Sequence, residues 1–200
     1  MTLWLRSRHV PHLIGTLVAV GLLQTFLTGS VIVLPVLIGH VGVSTWSMFL
    51  PVILGVAVAD SLASKTQAVE ARVNDRVVLL DVVLLAGTVG AATATLAALG
   101  GTHPQLTGTA GHVMITVGLA ASVTFWWGLG AGVLAPLVLA VVCVAYGSDA
   151  PGGRYVRLLA PESLAGWDLL IGCVAFGLAV ALIITRRVRV GFRLADRLTD

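Results

Sequence analysis

The sequence predicts an all-α integral membrane protein with six transmembrane helices and cytoplasmic N- and C-termini. Of its 200 residues, 58% are hydrophobic and only 10% are charged, and the mean hydropathy is +1.01. Soluble domains are about half apolar and about one quarter charged, so this composition excludes an ordinary soluble domain. A transmembrane helix needs about 20 mostly apolar residues, and the chain contains several such runs. We therefore expect a multi-pass protein of the bacterial cytoplasmic membrane.

The apolar runs and the turns between them set the predicted spans. The stretch from His112 to Tyr146 is interpreted as two spans, because Trp126 and Trp127 precede the glycine-rich turn Gly128–Gly132. Paired aromatic residues are typical of a membrane interface, and clustered glycines favour a turn. Residues 100–111 are predicted to form a polar outer loop. The six predicted spans are about 13–37, 46–62, 77–99, 112–127, 132–146 and 167–185.

The third span carries small residues at a spacing that favours close helix packing. These residues are Gly87, Ala91, Ala94 and Ala98.

The distribution of basic residues supports six spans and orients them. Ten of the 12 Lys and Arg residues fall on the predicted inner side, and only Arg154 and Arg157 fall outside. If residues 112–146 formed one span, the split would be seven to five. Because cytoplasmic segments carry an excess of Lys and Arg, the six-span arrangement is favoured. The basic tail, residues 186–200, is predicted to contact anionic lipid.

One short polar segment, residues 64–76, separates the second and third predicted spans. Ser64 followed by Gln67 is a capping-box pattern, and Val69 and Val73 share one helical face. We predict a short helix on the cytoplasmic surface. The alternative is a solvated loop whose charges only fix topology.

Two acidic residues, Asp60 and Asp81, lie just inside the apolar runs that flank this segment. Ionisable residues inside spans are costly and often functional. Since both lie about one helical turn from the inner interface, Arg72 or Arg76 could pair with them. An anchoring ion pair is therefore favoured, and a proton relay is the alternative. Asp168 begins the last span, where the helix dipole favours a carboxylate, and we expect it to cap that helix.

The sequence contains no recognisable catalytic or metal-binding motif. No glycine-rich loop precedes Lys65, the only lysine, so hydrolysis of ATP through a P-loop is excluded. The five histidines fall near predicted membrane boundaries or in the outer loop, and we interpret them as surface or interface residues. The two cysteines lie in apolar runs and are expected to be inert. We expect this chain to bind no cofactor, no metal and no nucleic acid.

The order of these parts resembles the permease subunit of a type-two ATP-binding-cassette exporter, particularly the compact actinobacterial kind. Such permeases have six spans, a cytoplasmic coupling helix between spans two and three, a tight inner turn between spans four and five, and an outer segment before span six. The matching stretches are Ser64–Arg76, Gly128–Gly132 and Gly147–Gly166. The chain departs from the family in its short N-terminal interfacial helix, residues 2–9, and in its short outer segment.

The resemblance implies an exporter driven by a separate ATPase subunit, which would bind ATP and Mg and push the segment at 64–76. It also implies a second permease copy, or a homologue, across a central cleft. The implied ATPase-coupling residues are Lys65, Val69, Glu70, Arg72, Val73, Asp75 and Arg76. The implied substrate path comprises Gln24, Thr25, Thr28 and Ser30.

Two other classes of membrane protein fit the same length and composition. An autonomous six-span transporter, or a substrate-binding membrane subunit, would need a polar cluster at mid-membrane, which only Gln24, Thr25 and Thr28 approach. A non-transporting scaffold or immunity protein is compatible with every feature of the sequence. A membrane enzyme is disfavoured because no catalytic set of residues is present.

Overall fold

The computed structural model describes residues 4–5, 8–27, 31–34, 42–45, 49–63, 75–100, 103–146 and 165–198. This part of the chain contains six helices and one pair of short strands. In chain order they are α1 (Val10–Leu27), β1 (Val31–Leu34), β2 (Gly42–Thr45), α2 (Leu50–Leu62), α3 (Asp75–Gly100), α4 (His103–Trp127), α5 (Leu129–Tyr146) and α6 (Ala165–Leu198).

Four of these helices are long and apolar enough to cross a membrane. Their candidate spans are Val10–Leu27, Val77–Leu99, Thr109–Trp127 and Trp167–Thr185, and the second and fourth coincide with predicted spans. The apolar parts of α2 and α5, Leu50–Leu62 and Leu129–Cys143, are shorter. The prediction of a helical, multi-pass membrane protein is confirmed at this level.

The first predicted span, residues 13–37, is wrong as a single helix. Helix α1 ends at Leu27, and Val31–Leu34 pairs antiparallel with Gly42–Thr45, with Val31 opposite Thr45. The valines and isoleucine of β1 favour extended backbone, and hydropathy alone does not distinguish an apolar strand from a helix.

The second predicted span, residues 46–62, is also too long. Helix α2 begins only at Leu50, with a proline in its first turn at Pro51. Proline is favoured in the first turn because it lacks an N–H that would be unsatisfied there. At a rise of 1.5 Å per residue, α2 is roughly 20 Å long, shorter than the hydrocarbon core of a bilayer.

Three later boundaries also differ from the predictions. Helix α4 begins at His103, so most of the predicted outer loop 100–111 is helical. The turn between α4 and α5 is limited to Gly128, whose φ of +88° suits glycine, and α5 begins directly after it. Helix α6 continues to Leu198, so the basic tail begins as an extension of the last helix rather than as a separate segment.

Helix α4 forms the centre of the bundle. In its candidate span 61% of residues are buried, against 22–28% in the other three spans. Core side chains such as Val113 and Val117 pack there with Leu54 of α2. The remaining helices surround α4 and expose apolar side chains, including a stripe on α1 that repeats every four residues: Ile14, Val18, Leu22 and Phe26. This pattern is typical of a lipid-facing surface.

The closest helix packing joins α4 and α6. A Cβ at Gly111 would lie 2.6 Å from the backbone carbon of Asp168, and one at Gly118 would lie 2.7 Å from that of Ala175. These two contacts advance together along both helices, so α4 and α6 run parallel. Four small residues predicted to pack closely on the third span lie on a face of α3 that the described helices leave exposed: Gly87, Ala91, Ala94 and Ala98.

Candidate functional site

A buried ion pair joins the N-terminal segment to the first turns of α3. The guanidinium of Arg8 donates from Nε to Oδ1 of Asp81 at 2.9 Å and from Nη2 to Oδ2 at 2.7 Å. The indole Nε1 of Trp4 donates to the same Oδ1 at 3.3 Å. Arg8 is 0% exposed and Asp81 is 4% exposed. Two parallel hydrogen bonds between charged groups fix the relative orientation of the two side chains.

The same segment also contacts the last turn of α2. The hydroxyl of Ser61 donates to the backbone carbonyl oxygen of Arg8 at 2.6 Å. Nδ1 of His9 lies 3.2 Å from Oδ2 of Asp60, in a pair whose side chains are 57% and 42% exposed. His9 has φ +48°, a left-handed conformation uncommon outside glycine, just before α1 begins at Val10.

We name this set of residues the N-terminal clamp. Its members share contacts that bring together the start of α1, the end of α2 and the start of α3: Trp4, Arg8, His9, Asp60, Ser61 and Asp81. Helices α2 and α3 are the two elements that flank residues 64–74. The clamp therefore links both ends of the polar segment through a third part of the chain.

Sequence reasoning assigned Asp60 and Asp81 to an anchoring role but missed the cation. It expected Arg72 or Arg76, which are close in sequence, and did not foresee that Arg8 pairs with Asp81. Arg72 and the side chain of Arg76 lie outside the described residues. The sequence did indicate that Asp81 needs a partner, because a carboxylate inside an apolar run requires a cation from some part of the chain.

The predicted coupling residues fall largely outside the described part of the structure. Asp75 and Arg76 form the first two positions of α3, and their side chains are not described. The other five also lie outside the described residues: Lys65, Val69, Glu70, Arg72 and Val73. The helical conformation predicted for residues 64–74 stays a prediction.

The structure describes only two of the four residues of the predicted substrate path, which stays a prediction. Gln24 of α1 is buried at 7% exposure, whereas Thr25 is exposed and donates its hydroxyl to the carbonyl oxygen of Leu22 at 2.7 Å. The two neighbours thus point in different directions, as adjacent helical residues do. Thr28 and Ser30 lie outside the described residues.

A second polar cluster lies between α4 and α6. Nε2 of His112 is 3.6 Å from Oδ2 of Asp168, and the residues are 8% and 2% exposed. The interpretation of His112 as a surface or interface residue is therefore wrong. Asp168 lies in the first turn of α6, as predicted, but its carboxylate faces His112, and among the described residues Oδ2 accepts no capping hydrogen bond.

The two polar clusters occupy different depths of the bundle. Only residues 101–102 separate α3 from α4, and these helices pack against each other, so they run antiparallel. At 1.5 Å per residue, Asp81 and His112 lie roughly 15 Å apart along the helix direction. The clamp and the His112–Asp168 pair are therefore separate sites.

The contacts seen at these sites are hydrogen bonds and ion pairs between side chains. Within the described residues, no group of three or more His, Cys, Asp or Glu could hold a metal ion. Comparison of the chain with known protein families, curated proteins and solved structures finds no match. The functional conclusion therefore rests on the sequence pattern and the geometry of the two clusters.

Proposed function

We propose that the chain is the permease subunit of an ATP-driven exporter in the bacterial cytoplasmic membrane. A separate ATPase subunit would drive it through residues 64–76. The single observation that carries this proposal is the N-terminal clamp, because it connects the two helices that flank this segment. Because the sequence contains no P-loop, an exporter of this kind would use ATP bound by a separate subunit.

The clamp gives residues 64–74 the mechanical setting that coupling requires. A force on a loop between two independent helices would be absorbed by bending of the loop. Here Arg8 contacts both helices, through its side chain to Asp81 and through its backbone carbonyl to Ser61. Displacement of the segment would therefore move the end of α2 and the start of α3 together.

The buried part of the clamp contributes more to this connection than the exposed part. Removing one partner of a buried ion pair typically costs about 3–5 kcal/mol, because an uncompensated charge is left in a poorly solvated site. An exposed pair such as His9–Asp60 contributes less than about 1 kcal/mol. The Arg8–Asp81 pair is thus the contact on which joint movement of the helices depends.

The experiment that tests the proposal is substitution of Val69 by Asp, followed by purification of the chain with its ATPase. In the coupling interpretation Val69 contacts the partner, so Val69→Asp buries an unpaired carboxylate and abolishes copurification. Ala68→Asp is the matched control, since it adds the same charge one position away, on a different face of the predicted helix. The copurified protein must hydrolyse ATP, and the chain purified alone must not.

Two outcomes contradict the proposal. An unchanged yield of ATPase with Val69→Asp, normalised to the amount of chain in the membrane, would reduce residues 64–76 to a topology-setting loop. ATP hydrolysis by the rigorously purified chain alone would contradict the requirement for a partner.

A transporter that works without a partner is the second candidate, and the His112–Asp168 pair favours it. Buried ionisable residues inside membrane helices often belong to proton pathways. Proteoliposomes containing only this chain, placed under an imposed pH gradient, distinguish the two candidates. Proton flux above that of empty liposomes, abolished by Asp168→Asn, would support the autonomous transporter, whereas the permease requires the ATPase for transport.

A further inference from the structure

The His112–Asp168 pair combines deep burial with an unmet requirement for hydrogen bonds. Within the described part of the chain, neither Nε2 of His112 nor Oδ2 of Asp168 has a hydrogen-bond partner. These are the atoms that face each other at 3.6 Å. A polar group buried without a partner is costly, and a carboxylate more so. The N-terminal position of Asp168 on α6 offsets only part of this cost through the helix dipole.

The distance between the two atoms limits what can complete the pair. A water molecule that bridges two groups with ordinary hydrogen bonds at a tetrahedral angle holds them about 4.5 Å apart, farther than is observed here. A direct hydrogen bond between charged groups is about 2.7–2.9 Å long, which requires a closure of less than about 1 Å. The spacing therefore suits a direct hydrogen bond better than a bridging water.

The surrounding backbone excludes larger ligands. A Cβ at Gly111 would lie 2.6 Å from the backbone carbon of Asp168, and one at Gly172 would lie 2.8 Å from the carbonyl oxygen of Gly111. The two helices thus meet backbone to backbone beside the pair. A metal ion would need further ligands, and the described residues supply no group of three.

No other described charge competes for this site. The helices packed against α4 carry few titratable side chains in their described parts. These are Asp60 on α2, Asp81 on α3, Cys143 on α5 and, besides Asp168, Cys173 on α6. Asp81 is engaged by Arg8 and Asp60 by His9, both in the clamp. The thiol of Cys173 points to the sulfur of Met114 at 4.0 Å.

We propose that His112 and Asp168 form a proton-binding site. A proton from solvent binds at Nε2 of His112, and the resulting imidazolium donates it in a hydrogen bond to Oδ2 of Asp168. An imidazole can take up and release a proton at a ring nitrogen, and a carboxylate that faces this nitrogen can accept the resulting hydrogen bond. Because the pair spans the closest helix contact of the bundle, proton binding tightens the α4–α6 interface.

The test is nitrogen-15 NMR of the full chain in detergent micelles with labelled histidine, titrated from about pH 8 to about pH 5. The signals of His112 are assigned by their loss in His112→Gln, and exposed His12 serves as the internal reference. We expect the ring-nitrogen signals of His112 to change with pH in the wild type. In Asp168→Asn the pH dependence of these signals should differ from that of the wild type, because the facing carboxylate has lost its charge, while the His12 signals should be the same in both proteins.

A His112 that stays in one protonation state throughout the titration would overturn the proposal. The same pH dependence of the His112 signals in the wild type and in Asp168→Asn would also overturn it. If Asp168→Asn does not fold, the proposal is tested instead by the infrared difference spectrum of the wild type between the two pH limits. A carboxylate band that changes with pH and is lost in His112→Gln supports the site, and its absence contradicts it. These measurements use the chain alone, so their result is independent of coupling to an ATPase.

Discussion

The Arg8–Asp81 ion pair provides the sharpest test of the structure, through Arg8→Met. The side chains of Arg8 and Asp81 are 0% and 6% exposed, so methionine at position 8 leaves a carboxylate enclosed by protein without its guanidinium. The loss of one partner from a buried pair predicts a decrease of about 3–5 kcal/mol in the free energy of unfolding. Methionine keeps most of the length of the arginine stem, which limits the contribution of lost packing.

The double variant Arg8→Met/Asp81→Leu separates the buried charge from other effects. With both charges replaced by apolar side chains of similar volume, neither member of this pair is left buried without the other, and stability should recover toward the wild-type value. The matched control is His9→Gln, which removes the exposed pair with Asp60 and should cost less than about 1 kcal/mol.

The assay is denaturant unfolding of the purified chain in micelles, analysed as a double-mutant cycle. A cost below about 1 kcal/mol for Arg8→Met would refute the reasoning, because it would show that Asp81 is solvated or paired elsewhere. A double variant no more stable than Arg8→Met would equally refute it.

Two further predictions follow from the packing and the charge pattern. Gly118→Ala places a Cβ 2.7 Å from the backbone of Ala175 and should lower stability in the same assay by about 1–3 kcal/mol, whereas Gly87→Ala, with nothing within 4 Å, should be neutral or gain up to about 1 kcal/mol. Equal effects of the two glycine substitutions would contradict the described α4–α6 contact. In a background without Cys143 and Cys173, a cysteine at Gln105 should react with an impermeant reagent in intact cells and a cysteine at Asn74 should not. Labelling at Asn74 would overturn the predicted orientation.

The clamp also bears on the choice between an anchoring role and a proton relay for Asp81. A relay residue must release and accept protons, which requires access to water or to another titratable group. Asp81 is instead held by two hydrogen bonds from Arg8, a side chain that stays protonated in proteins and so cannot exchange a proton with the carboxylate. The geometry favours a fixed structural charge at Asp81, and it leaves His112–Asp168 as the better candidate for proton binding.

The errors in the predicted spans have one physical origin. Hydropathy measures how apolar a run is, but the boundary between helix, strand and turn depends on backbone preferences within that run. Val31–Leu34 is as apolar as the helix before it, yet forms a strand that pairs with Gly42–Thr45. The prediction of a loop at 100–111 was also wrong, because polar residues can be helical too and α4 begins at His103. A helix does not need to be apolar where it leaves the membrane.

The sequence by itself determined the membrane class and the two spans at 77–99 and 167–185. Both are local properties, because a helix satisfies its own backbone hydrogen bonds in lipid and needs only a long enough apolar run. The positions of Asp81 and Asp168 inside such runs were also visible in the sequence. The partners of these two acids could not be read from the sequence. Arg8, for example, lies 73 residues from Asp81 and meets it only when α1 and α3 pack side by side. Only the tertiary structure decided that His112 is buried, since that depends on the backbone contact at Gly111 that brings α6 against α4.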